Sequence, residues 1–220
     1  MDFFFDARAR IASVIALSSL SALVGFGRME PVAARPPQPS PWQLAAAPVP
    51  SDWQRLQGEG VAIALPSHFL GGNPQTELEV IAAQLATAIP DAEQRLTSIR
   101  GNLESFALVA FDSQLDETGF LTNLNIATDT VPTDLTTEEL LAATAEALAE
   151  QSEIVASELV EVNAETSGRL LTRSLVANVQ QLFYLFVQNG RLYVVVYSAS
   201  RDAFEQQLPI FEQSIQTFEF

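Results

Sequence analysis

The chain contains few residue types that could carry out catalysis. His68 is the only histidine, so a Ser-His-Asp triad would have to use it, and a histidine-based zinc site would lack ligands. No G-x-S-x-G nucleophile elbow occurs, and Gly71-Gly72 has neither the spacing nor the lysine of a phosphate-binding loop. Because His68 follows Pro66 at the end of an expected strand, we interpret it as a surface-loop histidine. We therefore predict no catalytic residue, no cofactor and no enzymatic activity.

Three acidic residues form the one candidate metal site. Asp112, Asp116 and Glu117 fall within a short segment that we expect to be a hairpin loop. Carboxylate oxygens on a loop suit calcium, but the spacing does not match an EF-hand, which requires acids at alternate positions and glycine at the sixth. A solvated acidic turn is the favoured interpretation, with a metal site as the alternative.

Aromatic residues concentrate in two consecutive strands near the C-terminus. Tyr184, Tyr193 and Tyr197 accompany Phe183 and Phe186 there. Aromatic residues on neighbouring strands usually form core packing or cross-strand pairs. Alternatively, Phe183, Tyr184 and Tyr193 line an apolar pocket between sheet and helix, and these three are the candidate ligand-binding residues.

The charge composition limits the partners that the protein can bind. The chain has a net charge of −16 and no lysine, since all 11 basic residues are arginines. From Ser51 onward it carries 24 acidic residues and seven arginines. This composition disfavours nucleic acid and anionic membrane surfaces as partners, and it favours a soluble monomer. The absence of cysteine excludes disulfides, thiolate metal sites and a lipid-anchored cysteine.

The N-terminal region has the pattern of an export segment. Arg8 and Arg10 precede the uncharged apolar run Ile11 to Gly27, and small residues at 32–34 offer a cleavage site before Arg35. We predict that residues 1–34 are an export signal or an N-terminal membrane anchor, with a buried core helix as the remaining alternative. Residues 35–51 are rich in proline and alanine and are expected to form an extended tether. The predicted location is the periplasm or the thylakoid lumen.

Residues 52–220 are predicted to form a single domain, because hydrophobic periodicity marks regular elements throughout this region. The expected strands cover residues 60–65, 106–111, 120–127, 154–162, 169–176, 179–188 and 192–199. The expected helices cover residues 75–89, 91–99, 137–151 and 201–217, with Pro209 inside the last of them.

Turn and cap signals then constrain the fold class. Thr136 and Glu139 have the spacing of a helix capping box, and Asn189-Gly190 is the strongest hairpin signal in the chain. The last four strands follow one another with short turns and must therefore be antiparallel. The pattern predicts an α+β fold, in which helices cover an antiparallel β-sheet.

With these elements placed, residues from about Gly60 to Phe220 resemble the PsbP family. The matching features are the opening strand VAIALP, the segments around Phe111 and Phe120, the capped helix at Thr136, the turn at Gly168, the Asn189-Gly190 hairpin with LYVVVYSAS, and the closing helix. The resemblance implies a PsbP-like sandwich and an exported protein that assists assembly of a photosynthetic membrane complex. It implies no enzyme activity. Photosystem-bound members use lysines to dock, and this chain has none.

Together these observations predict a non-enzymatic, exported accessory or binding protein, with a protein partner at a photosynthetic or other membrane complex. The alternative is an extracytoplasmic carrier that holds a small apolar ligand in a pocket between sheet and helix. No nucleic acid is expected as a partner, and contact with the membrane is expected only through an uncleaved N-terminal segment.

Overall fold

The computed structural model describes residues 49–90 and 92–220. The predicted export segment, residues 1–34, and almost all of the predicted tether, residues 35–51, lie outside the described residues. Within the described ranges, none of the helices combines the length and the apolar character that a membrane crossing requires.

Seven antiparallel strands form the central sheet, and two more form a separate hairpin. The strands are β1 (Trp53–Gln57), β2 (Ala62–Pro66), β3 (Phe69–Gly72), β4 (Phe106–Asp112), β5 (Asn123–Thr130), β6 (Ser152–Val162), β7 (Glu165–Ser174), β8 (Val179–Gln188) and β9 (Arg191–Ser200). The sheet order is β3-β4-β5-β9-β8-β7-β6, and β1 pairs with β2. The helices are α1 (Pro74–Ala88), α2 (Ala92–Arg95), α3 (Thr97–Arg100), α4 (Thr137–Leu148) and α5 (Arg201–Ile215). The predicted α+β class is confirmed.

Both faces of the central sheet are covered. The helices α1 to α4 pack on one face, where Leu85, Leu141 and Phe183 belong to the same apolar cluster. The β1-β2 hairpin and α5 pack on the other face, with Leu65 and Phe211 in a second cluster. A strand that is buried on both sides must be apolar at successive positions, which accounts for the continuous run LFYLFV in β8.

Local sequence signals set several boundaries. The Thr136 hydroxyl accepts a hydrogen bond from the Glu139 backbone N–H at 3.2 Å, and the Glu139 carboxylate accepts one from the Thr136 N–H at 3.0 Å. This confirms the predicted capping box at the start of α4. Asn189 and Gly190 have φ angles of +53° and +73°, as a two-residue hairpin turn requires. α5 continues through Pro209 without interruption.

Two strands were not predicted. In β1 only Leu56 is buried. The sequence of β1 therefore lacks the alternation of apolar and polar residues that marks a half-buried strand. We expected β3 to be part of a loop, because it contains Gly71 and Gly72, which have low strand propensity. Gly71 approaches β4 so closely that a Cβ there would collide with the carbonyl oxygen of Val109. The glycine that weakens the strand signal is therefore what allows β3 to pair.

A buried polar cluster joins α5 to the sheet. Arg169 of β7 donates from Nε and Nη2 to Oε1 of Glu212 at 3.1 and 2.7 Å. Its Nη1 donates to Oε1 of the more exposed Glu158 at 2.9 Å, and the Tyr184 hydroxyl donates to Glu212 Oε2. Burial, followed by the Glu212 charge and hydrogen bond, raises the pKa of Tyr184 well above its usual range, so Tyr184 remains a neutral donor. Glu212 is thus the acceptor on which the cluster depends.

We expect Glu212→Ala to lower the free energy of unfolding by about 3–5 kcal/mol, because Arg169 would stay buried beside an apolar side chain. Urea denaturation would measure the change. Glu205→Ala, at an exposed position of α5, is the matched control and should change stability by less than about 0.5 kcal/mol. A loss under about 1 kcal/mol for Glu212→Ala would contradict this role.

The turn between β6 and β7 is strained. Its residues Asn163 and Ala164 have φ angles of +52° and +67°, and alanine pays a steric penalty in this left-handed region. We expect Ala164→Gly to raise the unfolding midpoint, with a gain of up to about 1 kcal/mol. Gly190→Ala in the equivalent turn between β8 and β9 should lower stability by a similar amount. Thermal denaturation of both variants measures these two changes in stability. A lower stability for Ala164→Gly would contradict the claim that the backbone at Ala164 is strained.

Candidate functional site

Several chain segments meet at one end of the central sheet. The register places Asp112 at the end of β4, Ser200 at the end of β9 and Val179 at the start of β8 on the same side. The loop between β4 and β5, the loop between β7 and β8 and the start of α5 therefore meet there, and we call this side the cleft end. The hairpin turns at residues 163–164 and 189–190 lie at the opposite, turn end.

An open cleft of about 310 Å³ lies at the cleft end. Four of its lining residues are acidic, namely Asp112, Asp116, Glu117 and Asp202. The remaining lining residues are Gln114, Gln206 and Gln207 with amides, Thr118, Thr122 and Ser200 with hydroxyls, and the apolar Leu115 and Ala203. Among the described residues, none that lines the cleft is basic, and the lining combines four carboxyl groups with neutral amide and hydroxyl groups that both donate and accept hydrogen bonds.

Asp116 organises the loop that forms one wall. Its Oδ1 accepts hydrogen bonds from the backbone N–H groups of Thr118 and Phe120, both at 2.8 Å, and from the Thr118 hydroxyl at 2.6 Å. Burial by itself raises the pKa of Asp116, but the interactions of its carboxylate with Ser200, Thr118 and Phe120 outweigh burial and hold the pKa below its usual range. Asp116 is therefore a fixed negative charge at neutral pH.

The pKa of Asp112 is shifted in the opposite direction from that of Asp116. Its side chain is buried, and burial raises its pKa despite the backbone hydrogen bond from Gln114 and the proximity of His68. The His68 Nε2 lies 3.6 Å from Asp112 Oδ2, which is an ion-pair distance but too long for a hydrogen bond. A buried carboxyl beside a histidine resembles part of an acid-base pair.

The start of α5 forms the opposite wall. Ser200 caps the helix by accepting a hydrogen bond from the Ala203 N–H at 3.2 Å. Asp202 lies in the first turn, and its Oδ2 accepts a hydrogen bond from the Asn178 side chain at 3.1 Å. The loop between β7 and β8, which contains Asn178, is thereby held against the cleft.

The predicted metal residues all line this cleft. Asp112, Asp116 and Glu117 contribute to the same wall, as their shared loop suggested. Among residues 49–90 and 92–220, however, no three His, Cys, Asp or Glu side chains converge into a group that could hold a metal ion. Sequence reasoning missed Asp202 and Ser200, because only the packing of α5 brings them to the loop. The sequence signal that could have identified Ser200 and Asp202 is their position at the start of a predicted helix.

The three residues predicted to bind a ligand are divided between the two apolar clusters on opposite faces of the central sheet. Phe183 belongs to the cluster beneath α1 and α4, whereas Tyr184 and Tyr193 belong to the cluster beneath α5. Successive side chains of a strand point to opposite faces, which separates Phe183 from Tyr184. Neither of these two side chains is accessible to solvent, and Tyr193 stacks on Phe220 with ring centroids 4.9 Å apart. All three are core residues.

Comparison with known proteins reveals similarity in fold. The fold is an α+β sandwich of the PsbP-like type, as shown by its similarity to cyanobacterial PsbP (CyanoP) from Synechocystis, with a TM-score of 0.50 and 16% identity over 80% of this chain and 98% of that chain. The Ran-binding protein Mog1p of Saccharomyces cerevisiae gives a TM-score of 0.43 and 12% identity over 76% of this chain and 95% of that chain. LpqN of Mycobacterium tuberculosis gives a TM-score of 0.42 and 11% identity over 78% of this chain and 79% of that chain. The sequence matches no family model and no curated protein.

We expect Asp116→Ala to lower the free energy of unfolding at neutral pH by about 1–2 kcal/mol, because three donors lose their acceptor in a partly exposed loop. The folded pKa of Asp116 is lowered, so its contribution is complete above about pH 4 and disappears as pH falls through that folded pKa. Urea denaturation across this pH range should show the wild-type and variant stabilities converging in acid. Glu117→Ala is the control and should have little effect. A difference that grows in acid would contradict the assignment.

Proposed function

We propose that this chain is a non-enzymatic accessory protein of the extracytoplasmic space that binds a protein partner at a photosynthetic or other membrane complex. The observation that carries the proposal is the similarity in fold to cyanobacterial PsbP, which extends over 98% of that chain. The export pattern before Arg35 and the acidic composition of the domain agree with it.

The place where the described chain enters the domain supports binding at the cleft end. The Asp52 carbonyl accepts a hydrogen bond from the Ser67 N–H at 3.0 Å, and Trp53 pairs with Pro66. The domain thus begins beside the β2–β3 turn, which contains His68 and contacts Asp112 at the cleft end. If residues 35–51 tether the domain to a membrane, the tether attaches at the cleft end.

The C-terminus is suited to a tag. Glu219 bridges to Ala62, and Phe218 contacts Asn163 in the β6–β7 turn, so the chain finishes at the turn end, away from the cleft. A C-terminal tag therefore leaves the cleft free.

We expect the full chain with a C-terminal tag to lie on the outer side of the membrane and to migrate with a membrane complex in native gels after mild crosslinking. Protease protection in intact and opened compartments measures the first property, and native electrophoresis measures the second. Leu17→Arg combined with Leu20→Arg interrupts the apolar run of the predicted export segment. This double variant should therefore remain on the cytoplasmic side of the membrane.

Two results would refute the proposal. One is a wild-type chain that remains on the inner side, and the other is an exported chain that migrates only as a free monomer under crosslinking conditions.

A further inference from the structure

We propose that a buried row of polar side chains, on the face of the sheet that α1 to α4 cover, binds ordered water, and that one water molecule bridges Thr144 of α4 to Thr172 of β7. This inference goes beyond the proposed accessory function and does not depend on it. Two observations carry it. Buried polar side chains run across four neighbouring strands, and three polar atoms in and above this row have no hydrogen-bond partner among the described residues.

The row crosses the sheet in register. Asn123 of β5 pairs with Ser198 of β9, and Ser198 also pairs with Gln181 of β8. Gln181 in turn pairs with Thr172 of β7. Side chains two residues apart on a strand share a face, so these four residues lie on the same side as the core residue Phe183, beneath the helices. We call the four residues the polar row.

The polar row is buried on a face that is otherwise apolar. None of its four residues is more than 5% exposed, and Phe111 and Ile154 flank it at its two ends. Its side chains are uncharged and offer only amide and hydroxyl groups. A buried polar group without a hydrogen-bond partner lowers stability, so native proteins satisfy such groups with protein atoms or with ordered water.

Protein atoms satisfy part of the polar row. Gln181 Nε2 donates to Ser198 Oγ at 3.1 Å. Asn125, two residues beyond Asn123 on the same face of β5, donates from Nδ2 to Asn123 Oδ1 at 3.2 Å. The Oδ1 atom of Asn125 and the hydroxyl of Thr172 are buried, and neither has a partner within the part of the chain that the structure describes.

A third unpartnered group lies on the helix above. Thr144 is fully buried on the side of α4 that packs against the sheet, and its hydroxyl also has no partner among residues 49–90 and 92–220. Leu141 packs directly on Gly168 of β7, where an added Cβ would lie 3.1 Å from the Leu141 Cβ. From there α4 runs toward the cleft end, where β6 begins. Thr144, one turn beyond Leu141, is therefore displaced from Gly168 toward Thr172.

Water is the ligand that this chemistry and this burial select. An amide oxygen accepts hydrogen bonds and a threonine hydroxyl both donates and accepts, so a small neutral molecule that does both can serve all three groups. A buried water typically makes about three hydrogen bonds to such groups. The polar row also adjoins solvent, because Ser200, two residues beyond Ser198 on the same face of β9, lines the open cleft.

Substitutions that keep the side-chain volume test the site by urea denaturation of the full chain. Thr144→Val and Thr172→Val each remove one hydroxyl and keep nearly the same shape. We expect each to raise the equilibrium constant for unfolding about threefold or more, because the bound water loses a partner. Thr166→Val, at an exposed position on the same face of β7, is the matched control and should change this constant less than about twofold.

The double variant tests whether one water joins the two elements. A shared water loses its bridge in either single variant, so Thr144→Val combined with Thr172→Val should raise the unfolding constant by clearly less than the product of the two single changes. Single changes that multiply would indicate two separate sites and would contradict the bridge.

Oxygen-17 relaxation dispersion counts long-lived internal water and does not depend on stability. We expect the double variant to hold about one such water fewer than the wild type, while Thr166→Val holds the same number as the wild type. Near-UV circular dichroism checks that each variant keeps its native packing.

Two further results would overturn the proposal. One is an unfolding constant that stays the same or falls in Thr144→Val and Thr172→Val, since removal of a dry, unpartnered hydroxyl stabilises the folded state. The other is an equal number of internal waters in the wild type and the double variant.

Discussion

The structure depends on one constraint, which is that its antiparallel sheet is apolar on both faces. Antiparallel sheets commonly expose one face to water, but β8 and β9 bury both faces, so two separate layers must cover them. Four helices supply one layer, and α5 with the β1-β2 hairpin supplies the other. The fold follows from this double coverage, because burial of apolar area is the main stabilising term available to a chain without disulfides.

The second layer is fixed by polar contacts as well as by apolar packing. Glu212 accepts from Arg169 and Tyr184, while the Tyr197 hydroxyl donates to Ser214, whose own hydroxyl donates to the Ala64 carbonyl at 2.7 Å. These bonds tie α5 to β7, β8, β9 and β2 at once. Because a buried charge tolerates only well-matched partners, they also set the position at which α5 begins, and thereby the position of Asp202 at the cleft.

The surface charge suits both the edges of the sheet and the cleft. The edge strand β6 carries Glu153, Glu158 and Glu161, and charged side chains on an edge oppose pairing with another chain. The edge strand β3 at the other side has only four residues. The acidic composition thus limits unwanted association through the sheet edges, while the cleft end concentrates negative charge beside Leu175 and Val176.

By itself the sequence determined the elements whose signals are local. The capping box at Thr136, the Asn189-Gly190 turn and the succession β6 to β9 follow from hydrogen bonds and hydrophobic periods within short segments. It also grouped Asp112, Asp116 and Glu117, because they share one loop. Only the tertiary structure decided that β3 pairs with β4, that Phe183 and Tyr184 face different cores, and that Asp202 lines the same cleft as Asp116. These outcomes depend on contacts between distant segments, which no local period encodes.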